Sequence, residues 1–384
     1  MSLRRNITLL YFINFFTDCI FFAPVAILYF SRVAGSFALG MSIFSIVTLS
    51  SAFLEIPTGI FSDFIGRKRT MILGSTFALL STILYAIGGS YAMLVVGALL
   101  FGLSQSLYSG NNDAFLYETV DSFGEKDKYP EYSGKLSSMF QFGLAFSAIV
   151  GGFLVFHSYA LLLWASVLPQ MIVLALTFFL IEPRKHNRES TNVFSHLHIS
   201  LHHIFSSAKL RNLTIVQSIR FAVGESAFRF RAAFVVTLWP VWAIGISNAL
   251  SHIGAATGYL FSGKLLKRFG AYRLLSLEIV CNRIINFISL LYPTVASPAL
   301  MGLTSISYGT GQVAIGGLLQ KNYTDKQRAT LGSVVSFFGS ILFGVTAVTL
   351  GYVADHIGPV YTLVLVNIIL LTPLYFYKKI FVRK

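Results

Sequence analysis

Long apolar runs separated by short polar stretches make up almost the whole chain. A helix that crosses the hydrocarbon core of a bilayer needs about 20 mostly apolar residues. Twelve stretches of that kind follow one another. The first six are Thr8 to Tyr29, Leu39 to Phe61, Met71 to Ile87, Ala92 to Thr119, Leu136 to Phe156, and Tyr159 to Ile181. The next six are Leu213 to Leu238, Leu250 to Leu266, Leu274 to Tyr292, Ala299 to Leu319, Thr330 to Val353, and Val360 to Tyr377.

Composition supports this pattern. Apolar residues make up 55% of the 384 residues, charged residues 11%, and mean hydropathy is +0.71. An ordinary soluble domain carries about 25% charged residues. So little charge does not cover a water-exposed surface, and twelve spans leave no room for a soluble catalytic or nucleotide-binding domain. The expected fold is an all-α integral membrane protein of two six-helix bundles. Residues 1–183 form the first bundle, 184–210 a cytoplasmic linker and 211–384 the second bundle.

The net charge of +14 raises the question of nucleic acid, but the placement of the charge answers it. Arg4 and Arg5, Arg67 to Arg69, Lys126 and Lys128, and Arg184, Lys185 and Arg188 fall on one side. So do Lys267, Arg268 and Arg273, Lys321, Lys326 and Arg328, and Lys378, Lys379, Arg383 and Lys384. The opposite loops hold only Arg32. Basic residues gather on the cytoplasmic side of membrane proteins. Both termini are therefore expected in the cytoplasm, the protein in the cytoplasmic membrane, and no nucleic-acid partner. The apolar run after Met1-Ser-Leu-Arg-Arg is too long for a signal peptide and reads as the first span. Cys19 and Cys281 fall inside spans as buried thiols. The linker histidines His196, His198, His202 and His203 lie on a surface helix without the partners of a metal site. No metal is expected.

The two halves repeat. Gly59-Ile-Phe-Ser-Asp63-Phe-Ile-Gly66-Arg67-Lys68-Arg69 follows the second span. Gly263-Lys-Leu-Leu-Lys-Arg-Phe-Gly270-Ala-Tyr-Arg273 follows the eighth. Repeated halves with a substrate site at mid-membrane are characteristic of transporters. Gly59, Asp63, Gly66, Arg67 and Lys68, preceded by Glu55-Ile-Pro-Thr58, resemble the signature loop of the major facilitator superfamily. Gly351 to Gly358 and Arg328 to Ser333 are also similar to family members. The resemblance covers the chain and implies two bundles around a central cavity, alternating access by rocking, and gating by this loop. It implies that Gly59 and Gly66 allow tight packing and a sharp turn, and that Asp63 meets the N-terminus of the eleventh helix. It also implies that Arg67 and Lys68 pair with rim acids such as Glu118 or Asp121. Two positions depart from the pattern of proton antiporters. Ala98 stands where many members carry arginine, and Ser147-Ala148 stands where they carry Gly-Pro.

Ionisable groups inside spans are costly and are candidates for function. Asn14 and Asp18 share one face of the first span, one turn apart. Asp18 suits a proton-coupling site, a partner for a cationic substrate, or an ion pair with an arginine of the other half. The seventh span carries Arg220 and Arg231 on one face, with Glu225 and Arg229 as an i, i+4 pair roughly opposite. Arg220 or Arg231 is a candidate to bind an anion or hold Asp18. Arg283 with Glu278 and Asn282, Asp113 with Asn111 and Asn112, and Gln141 and Gln217 complete the candidate cavity.

No ATP site powers this chain. Gly258 to Leu265 imitates a phosphate loop, but Leu265 replaces the hydroxyl residue that binds magnesium. No cofactor is expected, and no nucleophile–base pair suggests an enzyme. The expected function is secondary active transport of a small molecule by a monomer in the bilayer. The favoured form is proton-coupled efflux of drug-like or cationic compounds, supported by Asp18. The alternative is a symporter or uniporter for uptake of a polar or anionic metabolite, supported by the arginines of the seventh and ninth spans.

Overall fold

A computed structural model describes residues 3–183, 193–323 and 328–381. The first part of the expected linker, with Arg184, Lys185 and Arg188, lies outside the described residues, as do Lys326, Arg383 and Lys384. The side chains of His196 and His198 are also outside them.

Hydrocarbon offers backbone N–H and C=O groups no water, so an apolar chain satisfies them within helices. Among the described residues the regular elements are helices throughout. They are α1 (Arg5–Thr17), α2 (Ala26–Ala34), α3 (Phe37–Ile65), α4 (Arg67–Ile87), α5 (Tyr91–Tyr108), α6 (Asn111–Asp121), α7 (Tyr129–His157) and α8 (Tyr159–Phe178). They continue as α9 (Val193–Ser206), α10 (Ala208–Val235), α11 (Ile244–Leu291), α12 (Ser297–Leu303), α13 (Ser305–Lys321), α14 (Arg328–Ile369) and α15 (Thr372–Phe381). Ser90, Ser158 and Ser207 start α5, α8 and α10, each accepting a bond from the backbone N–H three residues on.

Among the described residues, seven helical stretches are long and apolar enough to cross a bilayer. Two of them, Val241–Leu291 and Thr330–Phe381, contain two helices that meet at a glycine, Gly270 and Gly358 respectively. α10 is not among the seven, because Arg220, Glu225, Arg229 and Arg231 sit along it.

Four expected spans are interrupted. The first breaks between Thr17 and Ala26, the fourth at Ser109 and Gly110, the tenth at Thr304, and the twelfth at Leu370 and Leu371. Hydropathy does not register such breaks, since the residues at them are mostly apolar or small.

One turn recurs. Gly66 takes φ 97°, ψ 156°, Gly270 φ 72°, ψ 160°, and Gly358 φ 82°, ψ 160°. Only glycine adopts this left-handed backbone without penalty. Each stands seven residues after Gly59, Gly263 or Gly351. Ser158, seven residues after Gly151, makes the corresponding turn with extended backbone, φ −169° and ψ 153°. The two copies legible in the sequence are thus two of four.

The chain divides into two compact units. One comprises Met1–Gly35 and Ser42–Arg188, the other Ser36–Met41 and Glu189–Lys384. In the first unit Ile7, Leu10, Ile13, Met71, Phe115 and Leu116 are core residues. In the second, Leu213, Leu275, Ile315, Leu331 and Tyr377 are. Asp355 accepts bonds from the N–H groups of Phe37 (2.6 Å) and Ala38 (2.9 Å), which secures the start of α3 within the second unit.

Large apolar side chains remain outside: Leu260 is 82% exposed and Phe64 79%. Such a surface is compatible with lipid and not with water. Without a hydrophobic drive between helices in lipid, small residues bring them together. α11 and α13 cross at Gly258 and Gly309, where a Cβ would overlap the backbone carbonyl oxygens of Ile306 and Ala255. Gly258→Val therefore costs about 1–3 kcal/mol by overpacking. Gly263→Ala, whose Cβ meets nothing within 4 Å, is neutral or stabilising. Thermal unfolding of the detergent-purified protein checks both; equal midpoints for the two variants contradict the crossing.

Candidate polar cavity and its charges

α10 to α15 of the second unit line a cavity of about 250 Å³, with most of its polar groups on α10 and α11. Arg220, Glu225 and Arg231 reach it from α10, and Glu278, Asn282 and Arg283 from α11. Ser251 and His252 of α11, Tyr308 of α13 and Asn367 of α14 also line it. Glu225 thus lines the same cavity as Arg220 and Arg231, although helical spacing separates them; the cavity is wide enough to take both sides of α10.

Arg220 and Glu278 form a two-pronged pair, with Nη1 donating to Oε2 at 2.8 Å and Nη2 to Oε1 at 2.9 Å. Both side chains are 5% exposed. Gly311 makes room for them, since a Cβ there would overlap Glu278 Oε2. The expectation that Arg220 is available to hold Asp18 is corrected: Glu278 already holds it. Arg229 donates to Glu225 at 2.7 Å as an i, i+4 pair, each about one-third exposed.

Two guanidinium groups of this cavity have no carboxylate partner among the described residues. Arg231 donates to the Ser251 hydroxyl at 2.9 Å and sits 5.5 Å from the Phe228 ring centre. Arg283 donates to Asn367 Oδ1 at 2.7 Å, and its Nε is buried with no acceptor. Every carboxylate lining the cavity is committed, Glu278 to Arg220 and Glu225 to Arg229. The cavity thus carries two positive charges that neutral amides and hydroxyls only partly solvate. Arg231 and Arg283 are half-buried, and charge of that kind among membrane-spanning helices calls for a counter-ion.

His252, which also lines this cavity, was overlooked in the sequence. The signal was there: it is an ionisable residue inside an apolar span, flanked by Leu250, Ser251 and Ile253.

The first unit places Asp18 at the break of the first span, as the residue that closes α1. Its carboxylate makes no hydrogen bond or ion pair with the described residues. Around it, Gln170 donates to the Thr17 carbonyl at 3.3 Å. Gly143 and Gly151 of α7 let the carbonyls of Phe15 and Phe21 approach, and a Cβ at either would overlap them. Asn14 faces Asn112 instead, accepting from its amide at 2.8 Å. Asp113, Asn111 and Asn112 do not form one wall: Asp113 is exposed, Asn111 bonds Ser62, and Asn112 bonds Asn14. Gln141 is half-buried on α7.

The Gly59–Lys68 loop forms a polar cluster within the first unit. Arg67 reaches Asp63 at 2.7 Å, Glu118 at 3.3 Å and Ser62 at 2.9 Å. The Glu182 carboxylate accepts from the N–H groups of Arg67 (2.7 Å) and Lys68 (2.9 Å), an anion at the start of α4 where the helix dipole favours it. Glu182, at the end of the sixth span, is a rim acid the sequence reading did not name. Gly59 packs against nothing within 4 Å, so tight packing there is corrected.

The described residues form an all-helical, multi-pass membrane protein with a charged cavity in its second unit, and the family and relatives it resembles are transporters and not enzymes. The sequence model of the Major Facilitator Superfamily matches residues 7–345, and the chain belongs to that family. An uncharacterized MFS-type transporter of Methanocaldococcus jannaschii is 23% identical over 378 residues, covering 93% of each chain. Among solved structures, a mutant of the nucleoside transporter NupG superposes with a TM-score of 0.85 at 14% identity, covering 98% of this chain and 99% of that one. A bacterial homolog of the human lysosomal transporter Spinster gives 0.79 at 14% identity, covering 98% and 95%. A POT family transporter in complex with 5-aminolevulinic acid gives 0.77 at 12%, covering 98% and 97%.

Removing one member of a buried ion pair strands the other at a cost of about 3–5 kcal/mol, whereas replacing both with apolar groups is often near neutral. Glu278→Leu is therefore expected to destabilise the protein strongly, and Arg220→Leu with Glu278→Leu to recover most of the loss. Denaturant or thermal unfolding in detergent reads this; additive effects of the two substitutions contradict the pairing.

Proposed function

We propose that this chain is a proton-coupled carrier that moves a small polar solute with an anionic group across the cytoplasmic membrane by alternating access. In this reading it acts as a monomer of twelve spans in two six-helix bundles, with both termini in the cytoplasm. The observation that carries it is the pair of guanidinium groups, Arg231 and Arg283, lining one cavity with no carboxylate to neutralise them. A carboxylate or phosphate entering there replaces the missing counter-charge with charge-assisted bonds. The structural neighbours support a polar solute, since they include a nucleoside transporter and a transporter in complex with 5-aminolevulinic acid.

Efflux of cationic compounds is the second reading. The unpartnered carboxylate of Asp18 supports it, because a cation arriving at that carboxylate exchanges with a proton. Ala98 and Ser147-Ala148, which depart from the antiporter pattern, count against it. The cavity charges therefore move the balance from efflux toward uptake.

Uptake of a panel of labelled organic anions, nucleosides and lipophilic cations into cells expressing the protein tests the choice. Accumulation of an anion, reduced about tenfold or more in Arg231→Gln and Arg283→Gln, is the expected result, since a bond to a charged group is worth about 1.5–3 kcal/mol. Export of a cation that is lost in Asp18→Asn and indifferent to both arginine substitutions contradicts it.

A further inference from the structure

Within the second unit, His252 shares an aromatic neighbour with Arg231. Its ring packs edge-on against Phe228 at 6.0 Å between centres, and the Arg231 guanidinium lies 5.5 Å from the same ring. Arg231 is in turn held by Ser251, the residue next to His252. The imidazole therefore stands beside one of the two uncompensated guanidinium groups, in the cavity that the other also lines.

The charged and titratable groups facing it come from several elements. α10 contributes Glu225, with Arg229 bound to it, Arg231 and Arg220. The second helix of α11 contributes Glu278, bound to Arg220, and Arg283. α13 contributes the Tyr308 hydroxyl, and α14 only the neutral amide of Asn367. With each lining carboxylate committed to an arginine, the cavity holds two uncompensated positive charges.

We infer that His252 is the proton-binding partner of the anion in this cavity, so that anion and proton bind together and the carrier works as a symporter. The inference rests on the reading of the cavity as an anion site. Imidazole is the side chain that changes charge between about pH 5 and 8. A proton on His252 adds a third positive charge to a cavity already holding two. A bound anion offsets that cost, so it draws the proton onto the ring, and by linkage the proton tightens the anion to the same degree. The balance is simple: one proton adds to a ring nitrogen and leaves again when the anion leaves. At Asp18 the logic is opposite, because a cation and a proton compete for one carboxylate. The same protein chemistry thus gives exchange at one site and co-transport at the other, and His252 commits the second unit to co-transport.

Sulfate is the probe of choice, since it stays doubly negative over this range and any pH dependence belongs to the protein. Millimolar sulfate is titrated into the full-length protein in detergent at about pH 5.5 and about pH 8, and the unfolding midpoint gives an apparent Kd. The wild type is expected to bind about tenfold tighter at the lower pH, within the usual range of coupling between sites. His252→Gln binds equally at both, and His252→Arg, which stays charged over this range, binds at the higher pH as the wild type does at the lower. Arg283→Gln loses sulfate binding at both. Sulfate binding with the same pH dependence in His252→Gln as in wild type overturns the role of His252 and leaves the anion site standing. No sulfate binding by the wild type at either pH overturns the anion site and this inference with it. If His252→Gln does not fold, His252→Arg decides alone: retained pH dependence overturns the inference.

Discussion

A charge placed where water is absent must be met by another charge, and that requirement organises this molecule. Hydrocarbon solvates neither a peptide group nor an ion. The first part of the constraint makes the chain helical. The second decides what happens along α10, where Arg220, Glu225, Arg229 and Arg231 share about three helical turns. Three of these charges are paired, Arg220 with Glu278 across to α11 and Glu225 with Arg229 along the same helix. Arg231 and Arg283 meet only a hydroxyl and an amide, with no carboxylate among the described residues. A protein does not hold two unmatched guanidinium groups in one 250 Å³ cavity for stability, since a buried pair already contributes little over apolar packing. Unmatched charge among membrane-spanning helices is a reason to look for what arrives to match it.

The same constraint explains the contrast between the units. In the first, polar groups cluster around Arg67, where Asp63, Glu118 and Ser62 share one guanidinium and Glu182 covers the start of α4. Away from that cluster, Asp18 stands without a partner at a helix break packed against the glycines of α7. The first unit thus offers a solitary carboxylate, the second an excess of guanidinium. The two are complementary in chemistry: one suits a proton or a cation, the other an anion accompanied by a proton.

Much of this was legible in the sequence. Spans could be read because a bilayer imposes a length and an apolar composition, and the family because Gly59, Asp63, Gly66, Arg67 and Lys68 stand in a fixed frame. The Glu225–Arg229 pair followed from helical spacing. The breaks at Asp18 and Thr304 did not, because apolar residues flank both and hydropathy averages over them. The Arg220–Glu278 pair joins residues 58 apart in sequence, which no local periodicity encodes. His252 was missed because a single histidine in an apolar span draws less notice than a cluster of charges. The partition of Asn111, Asn112 and Asp113 among three surroundings depends on the short helix α6, whose start at Gly110 the apolar pattern runs through.

Proton movement in proteoliposomes is the most direct test of the central claim, that the arginine-lined cavity takes an anion together with a proton. Purified protein is reconstituted with a pH-sensitive dye inside, and organic anions, nucleosides and lipophilic cations are added outside in turn. The account predicts that an anion acidifies the interior, and that the response disappears in Arg283→Gln. A lipophilic cation that alkalinises the interior, with anions silent, would contradict it and assign the transport chemistry to Asp18.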